Sequence, residues 1–533
     1  MSQGITAARV ESLVRPNTYQ DSIRLMRVSN TLSALPGIRR ASVAMATEGN
    51  KRLLAEADLL TDAIRQAGAN DLVITVAAET AEAARGALAQ AEALLAEVAR
   101  PSGLETVPLH RTLEMAHTAL NGANLALISV AGEYAALEAR QALERGLHVF
   151  LFSDNVSVAD ERALKERARE LGLLLMGPGC GTAILNGAAL AFANVMRRGR
   201  IGLVAASGTG LQEVTSLIQR GGGGVSQAIG VGGRDLSEAI GGIMMLEGIR
   251  QLAADSATRV IVLISKPPAP SVAEKVLEAA RATGKPVVVN FLERPLLLGS
   301  APQPAADGVL FARTLEEAAT GALEAAGDRA ATPWRMDPGE LDRLAAGESA
   351  RLSDRQRYVR GLFSGGSLCD EAILILSERL GGVYSNVSAE PRWRLADAWR
   401  SREHTCVDLG EEEFTQGRPH PMIDPRLRQD RLLKEAEDPQ VAVILLDIVI
   451  GYGAHPDPAG AFAATLAEAQ TIAARQGRQL RVVAHVCGTE SDPQDLVRQE
   501  RALRDSGALV LPTNAQAAQV AARIAPSSPI PNL

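Results

Sequence analysis

Two short stretches bring together residue types suited to holding an anion. Ser207-Gly208-Thr209-Gly210 and Gly365-Gly366-Ser367 are small and hydroxyl-bearing, each follows a run opened by Gly-Leu, and each leads to a glutamate four residues after its Thr209 or Ser367, Glu213 and Glu371. A helix start exposes unpaired backbone N–H groups and a partial positive charge. Glycine lets that backbone approach a phosphate or carboxylate closely, and a Ser or Thr hydroxyl adds a donor. Either loop alone also reads as a tight turn whose hydroxyl caps its own helix. Two copies in one chain favour a single phosphate-binding site built from two halves, or a duplicated domain. Neither loop is a Walker P-loop, because no Gly-Lys-Ser/Thr follows.

Further polar residues stand where apolar runs end. "GVGGRD" places Arg234 and Asp235 after a glycine turn, "LISKPPAP" ends on Lys266, and "GPGCGTAIL" sets Cys180 in another glycine turn. Lys266, a candidate catalytic residue, is a cation suited to a carboxylate or phosphate, and Arg234, Asp235 and Cys180 are candidate substrate contacts. "IGYGAHPDP" presents His455 and Asp457 as candidate catalytic residues; "AHVCGTESDP" presents His485 and "GRPHPMIDP" His420, both candidate substrate contacts. A histidine at such a place can pass a proton at neutral pH. For any one of them, a hydrogen-bonded loop residue is the plainer reading. No metal is implied, since no pair of these residues has ligand spacing.

These loops need rigid elements behind them. Near-continuous apolar runs such as "ANLALISVAG", "HVFLFSD", "RVIVLISKPP" and "QVAVILLDIVIGYG" alternate with helical periodicity, the pattern of parallel sheets covered on both faces. The expected class is α/β, with several doubly wound parallel-sheet domains and a small N-terminal α/β domain. The expected boundaries are 1–105 for the N-terminal domain, 106–198 and 199–330 for two α/β units, 331–356 for a Pro- and charge-rich linker, and 357–533 for the last unit, closed by a loose tail at "APSSPIPNL". In the first of these, one helix is expected from Asn50 to Gln66. A chain of 533 residues is long enough for several such cores.

Composition narrows the partners. A net charge of −7 argues against nucleic acid, which needs a basic face. Four cysteines without paired spacing point to the reducing cytosol. The most apolar run carries Asp447 and is too short to cross a bilayer, and the N-terminus lacks the apolar core of a signal peptide. The expected location is cytoplasmic, without a membrane partner.

At these motifs the sequence resembles the succinyl-CoA synthetase superfamily, and within it the FdrA branch. The stretch from "LISVAGEYAALEARQ" to "GPGCGTAIL" is similar to the second half of the α subunit's CoA-binding domain. "GLVAASGTGLQEV", "GVGGRD" and "VIVLISKPPAPSVAEK" are similar to its ligase domain; "GLFSGGSLCDEA", "GRPHPMIDP", "LLDIVIGYGAHPDP" and "HVCGTESDP" resemble the β subunit's carboxyl-terminal domain. The resemblance covers about 125–525 and implies a partial Rossmann-like CoA-binding-like domain followed by two flavodoxin-like ligase domains. It also implies that paired helix starts face one phosphate site.

The chain departs from that pattern in three places. The opening strand with the Gly-rich CoA loop is not visible, which argues against CoA. "LLGSAPQP", including Gly299-Ser300-Ala301, stands where the superfamily carries its phosphohistidine, and Ser265-Lys266-Pro267-Pro268 replaces a glycine-rich element. No ATP-grasp domain is present. The resemblance then implies a phosphate-using transferase subunit that acts on a small acyl or carbamoyl compound and works with companion proteins. The branch is associated with oxamate carbamoyltransferase in allantoin catabolism. An acyl-CoA synthetase relying on a separate ATP-grasp partner, and a non-catalytic protein that kept the fold, are the competing expectations.

Overall fold

A computed structural model describes residues 9–96, 110–292, 308–327 and 332–526. The segment 297–304 ("LLGSAPQP") and nearly all of the tail lie outside the described residues. The chain forms two compact units, 1–109 with 409–424 and 110–408 with 425–533.

In the first unit, strands β1 (Arg9–Arg15), β2 (Ile38–Met45) and β3 (Leu72–Ala78) form an antiparallel sheet with β3 in the middle. Every residue of β3 is buried, because both faces of the sheet are covered. One face packs Leu25, Leu32, Val43, Ile74 and Ala84; the other packs Leu54, Leu59, Ile64 and Val73. The helix expected from Asn50 to Gln66 is two helices, Glu48–Glu56 and Asp62–Gln66. The break falls at Asp58, whose φ of +55° ends the first, and Thr61 caps the second by accepting from Ile64 N–H.

Among the described residues, the second unit contains three sheets. β4 (Leu125–Ile128), β5 (His148–Leu151) and β6 (Leu175–Met176) form a short parallel sheet. β7 (Thr182–Leu185), β8 (Ala188–Ala191), β9 (Arg198–Ala206), β10 (Val225–Gly230), β11 (Val260–Ser265), β12 (Val287–Phe291) and β13 (Val309–Phe311) form a seven-stranded sheet in the order β13-β12-β11-β9-β10-β7-β8. β14 (Tyr358–Phe363), β15 (Tyr384–Ser385), β16 (Thr405–Asp408), β17 (Val441–Val449), β18 (Arg481–Cys487) and β19 (Leu509–Leu511) form a parallel sheet in the order β15-β16-β14-β17-β18-β19.

Two placements differ from the sequence reading. The boundary expected at 198 runs through the seven-stranded sheet, because the β7–β8 hairpin pairs antiparallel onto β10 and covers what would be an open edge. The segment expected to be a linker is packed: Trp334 is buried, its carbonyl accepts from Gln516 at 2.8 Å, and the helix Pro338–Ser349 follows it.

In both large sheets the five main parallel strands, taken in chain order, lie in the spatial order 2-1-3-4-5. These are β10-β9-β11-β12-β13 and β16-β14-β17-β18-β19. This is the flavodoxin-like doubly wound order, whose switch point lies between its first and third strands. The loops that follow β9 and β14, which carry the paired glycine motifs, leave from those switch points.

Candidate functional site

Each motif begins a helix. Ser207 is the N-cap of Gly208–Arg220, accepting from Gly210 N–H at 2.9 Å; Gly365 is the N-cap of Gly366–Leu380. The two starts meet. Ser207 Oγ and Ser367 Oγ are 2.5 Å apart, and Ser367 N–H donates to Thr209 Oγ1 at 3.3 Å. The glycines are required by this proximity. A Cβ on Gly210 would lie 2.4 Å from Ser207 Oγ, and one on Gly365 would lie 2.9 Å from Thr209 Cγ2. The first three N–H groups of a helix have no acceptor within it. Those of Gly210 and Ser367 are taken by the neighbouring hydroxyls, so the donors remaining at the junction are Gly208, Thr209, Gly366 and Leu368.

Charged side chains surround the second helix start. A Cβ on Gly366 would lie 2.6 Å from Asp408 Oδ2 and 3.3 Å from Lys266 Nζ, and Lys266 pairs with Asp370 at 3.3 Å. Lys266 is carried here from the end of β11, the third strand of the other sheet. Beneath the turn, fully buried Asp447 accepts from Ser364 N–H at 2.8 Å and from Gly365 N–H at 2.7 Å. Buried Arg428 donates to Asp447 Oδ1 at 2.8 Å and to Leu362 O at 2.8 Å. A buried charge needs a partner of this kind.

The two glutamates make reciprocal contacts. Glu371, in the helix after β14, accepts Leu315 N–H at 2.7 Å, at the start of the helix that follows β13. Glu213, in the helix after β9, accepts Asn514 N–H at 3.4 Å, at the start of the helix that follows β19. Asn514 Nδ2 also donates to Glu371 Oε2 at 2.7 Å. Burial pushes Glu371 up to about 8 against these donors, with Glu213 and Glu316 adding to the rise. Burial also pushes Glu213 up, but His485, Arg220 and Cys487 together outweigh it, and the net direction is down.

The remaining sequence candidates sit in other surroundings. His485 is buried, with Nε2 2.9 Å from Glu213 Oε2 and Nδ1 3.2 Å from Leu511 O. Asp235 is buried, accepting from Lys165 Nζ at 2.8 Å and from Met245 N–H at 2.8 Å at the start of a helix. Arg234 pairs with Glu161 at 2.9 Å. Cys180 is buried and donates to Thr182 O at 3.5 Å; burial pushes its thiol up to about 12, which keeps it neutral. His455 Nδ1 accepts from Asp457 N–H at 3.0 Å, while Asp457 Oδ1 accepts from Gln499 at 2.8 Å and pairs with Arg498 at 3.3 Å. His420 belongs to the first unit and is half-buried, with Nδ1 accepting from Met422 N–H at 3.3 Å.

The structure thus brings together Ser207, Gly208, Thr209, Gly210, Gly365, Gly366, Ser367 and Lys266. Sequence reasoning missed Asp447, Arg428, Asp408 and Asp370. For Asp447 a signal existed: a carboxylate in an otherwise apolar nine-residue strand.

Three family comparisons match the chain: "CoA-ligase" over 362–524, "CoA binding domain" over 196–293, and "AllF, heavy metal-associated domain" over 8–107. The protein YahF of Escherichia coli (strain K12) is 49% identical over 502 residues, covering 94% of this chain and 96% of that one. The mitochondrial succinate–CoA ligase [ADP-forming] subunit alpha-2 of Trichomonas vaginalis is 29% identical over 238 residues, covering 43% of this chain and 74% of that one. The crystal structure of PH0766 from Pyrococcus horikoshii OT3 aligns over 79% of this chain and 87% of that one, with 15% identity and a TM-score of 0.32. Among the described residues, no helix is long and apolar enough to cross a membrane.

Two of these family names imply CoA, whose phosphates need cations or open helix starts. The short parallel sheet, which lies outside both matched spans, offers neither. The turns after β4 and β5, "SVAGE" and "FSDNVS", carry no Lys or Arg but do carry Glu133 and Asp154. A Cβ on Gly132, at the helix start after β4, would lie 2.3 Å from Asp154 O, so that glycine serves packing. Arg234, which reaches Val156 O at 2.8 Å, is already paired with Glu161. No step is derived through CoA.

Proposed function

This chain belongs to the family of the Escherichia coli protein YahF, and from that premise we propose that it is an FdrA-like subunit of a phosphate-using carbamoyl or acyl transferase. The favoured reaction is oxalurate plus phosphate giving oxamate plus carbamoyl phosphate, in allantoin or purine catabolism. The observation that carries this reading is the junction of two helix starts with Lys266 beside it. Four backbone donors and a cation suit a phosphate and the oxyanion that develops as it attacks. Lys266 holds the substrate carboxylate; Arg234, the other candidate, is paired with Glu161.

In the step itself a phosphate oxygen forms a bond to the ureido carbon, and the bond from that carbon to the oxamate nitrogen breaks. The nitrogen must gain a proton as it leaves. His455 is the proposed donor, acting from its doubly protonated form, which requires Nδ1 to give up the Asp457 N–H that it accepts here. Alignment of the two reactants supplies much of the remaining acceleration. Companion subunits complete the enzyme. The test is to purify the chain with the products of neighbouring genes and assay oxalurate phosphorolysis. Carbamoyl phosphate formation is expected, and its absence in every combination counts against the reading.

A second reading is favoured by the match to the CoA-ligase family over 362–524: an acid–thiol ligase acting with a separate ATP-grasp chain. ATP- and CoA-dependent thioester formation in the same assembly would select it.

A further inference from the structure

The family matched by residues 8–107 is described as heavy metal-associated, and the residues present do not fit such a metal. Soft metal ions are held by sets of thiolate and imidazole ligands. Residues 1–109 contain no cysteine and no histidine, and 409–424 add only His420 and Met422. Among the described residues, no group of three His, Cys, Asp or Glu could hold a metal ion. The loop leading from β1 into the helix Ser22–Ser33 is closed by carboxylates instead. Asp71 accepts from Asn17 N–H at 2.9 Å and Gly68 N–H at 2.8 Å, and Asp21 accepts from Ile23 N–H at 3.0 Å.

What this unit does hold is a stretch of chain from far along the sequence. Asn50 is 1% exposed, donating from Nδ2 to Met45 O at 2.7 Å and to Gly417 O at 3.2 Å. Its Oδ1 accepts from Arg418 Nε, and Thr47 Oγ1 donates to Gln416 O at 3.3 Å. Gly417 has φ +73°, and a Cβ there would lie 3.1 Å from Thr47 Cγ2 and 3.2 Å from Asn50 Nδ2. A buried amide that spends donors and acceptor on one segment is a built contact.

We propose that the first unit is a metal-free clamp on residues 409–424, closed by the buried Asn50 amide on Gly417 and Arg418.

The experiment is amide hydrogen exchange on the full chain and on Asn50→Ala. Exchange at least about 10-fold faster in 409–424 is the expected result; protection in such a segment tracks local opening. Unchanged exchange there overturns the clamp. If Asn50→Ala does not fold, Arg418→Ala, at a half-buried position, carries the same readout. Copper(I) and zinc(II), each added alone, are expected to leave exchange in residues 9–96 unchanged; stoichiometric binding with new protection there overturns the metal-free assignment.

Discussion

Ser207 and Ser367, 160 residues apart in sequence, meet hydroxyl to hydroxyl at 2.5 Å. Each belongs to the loop after the first of the five main parallel strands of its own sheet, so the contact joins two switch points into one place. The two serines differ in their other duties. Ser207 also caps its helix through Gly210 N–H, whereas Ser367 caps nothing. Ser207→Ala is expected to destabilise the protein by about 1 kcal/mol, the usual loss for an N-cap, and Ser367→Ala by less, as read by denaturant unfolding. Both are expected to weaken phosphate binding in calorimetry. Unchanged affinity in both variants would remove the junction as the anion site.

Glu371 gives stability a predicted pH dependence. An ordinary glutamate titrates near 4.5, while burial pushes this one up to about 8. Between those values the native state holds a proton that the unfolded state has released. Stability contributed by this group is therefore full below about 4.5, falls as pH rises, and is lost by about 8. Glu371→Gln resembles the protonated form, so its stability is expected to decline less over that interval. Urea unfolding at several pH values checks this, and parallel profiles for both proteins would refute it.

Lys266 and His455 separate binding from proton transfer. Lys266→Met is expected to raise KM for the carboxylate substrate, because the cation beside Gly366 is gone. His455→Ala is expected to reduce turnover by about 100-fold, within the range for a general acid, with thermal stability nearly unchanged. His455→Gln keeps hydrogen bonding without the proton. Near-full activity of both His455 variants in the assembled complex would leave that histidine a purely structural part of its loop.

No phosphohistidine is expected on this chain. Gly299-Ser300-Ala301 stands where the resembling superfamily carries that residue, and "LLGSAPQP" contains no histidine. Incubation with labelled ATP and companion proteins, followed by an acid-lability test, checks this. An acid-labile, base-stable label would favour the thioester-forming alternative.

Local residue patterns determined a good part of this protein by themselves. Apolar runs such as "VAVILLDIVIG" read as buried strands, and the glycine turns that follow β9 and β14 read as helix starts, as the structure has them. These are short-range effects of burial and backbone freedom, so the α/β class and the two anion-compatible helix starts were legible. The break after Asp58 was not, because Leu59 and Ile64 are drawn into a core on the far face of the first sheet, and burial there overrides a continuous helix.

Only the tertiary structure decided what the polar residues do. Residues His485 and Asp235 look like exposed strand-end groups in the sequence, yet they are consumed by Glu213 and Lys165. Asp447 looks like an interruption in a strand, yet it holds the turn at Ser364 and Gly365. Partners so far apart in sequence are selected by sheet order and by the need to satisfy every buried charge. Spacing along the chain encodes neither, which is why Ser207 and Ser367 could be recognised separately but only the fold shows them touching.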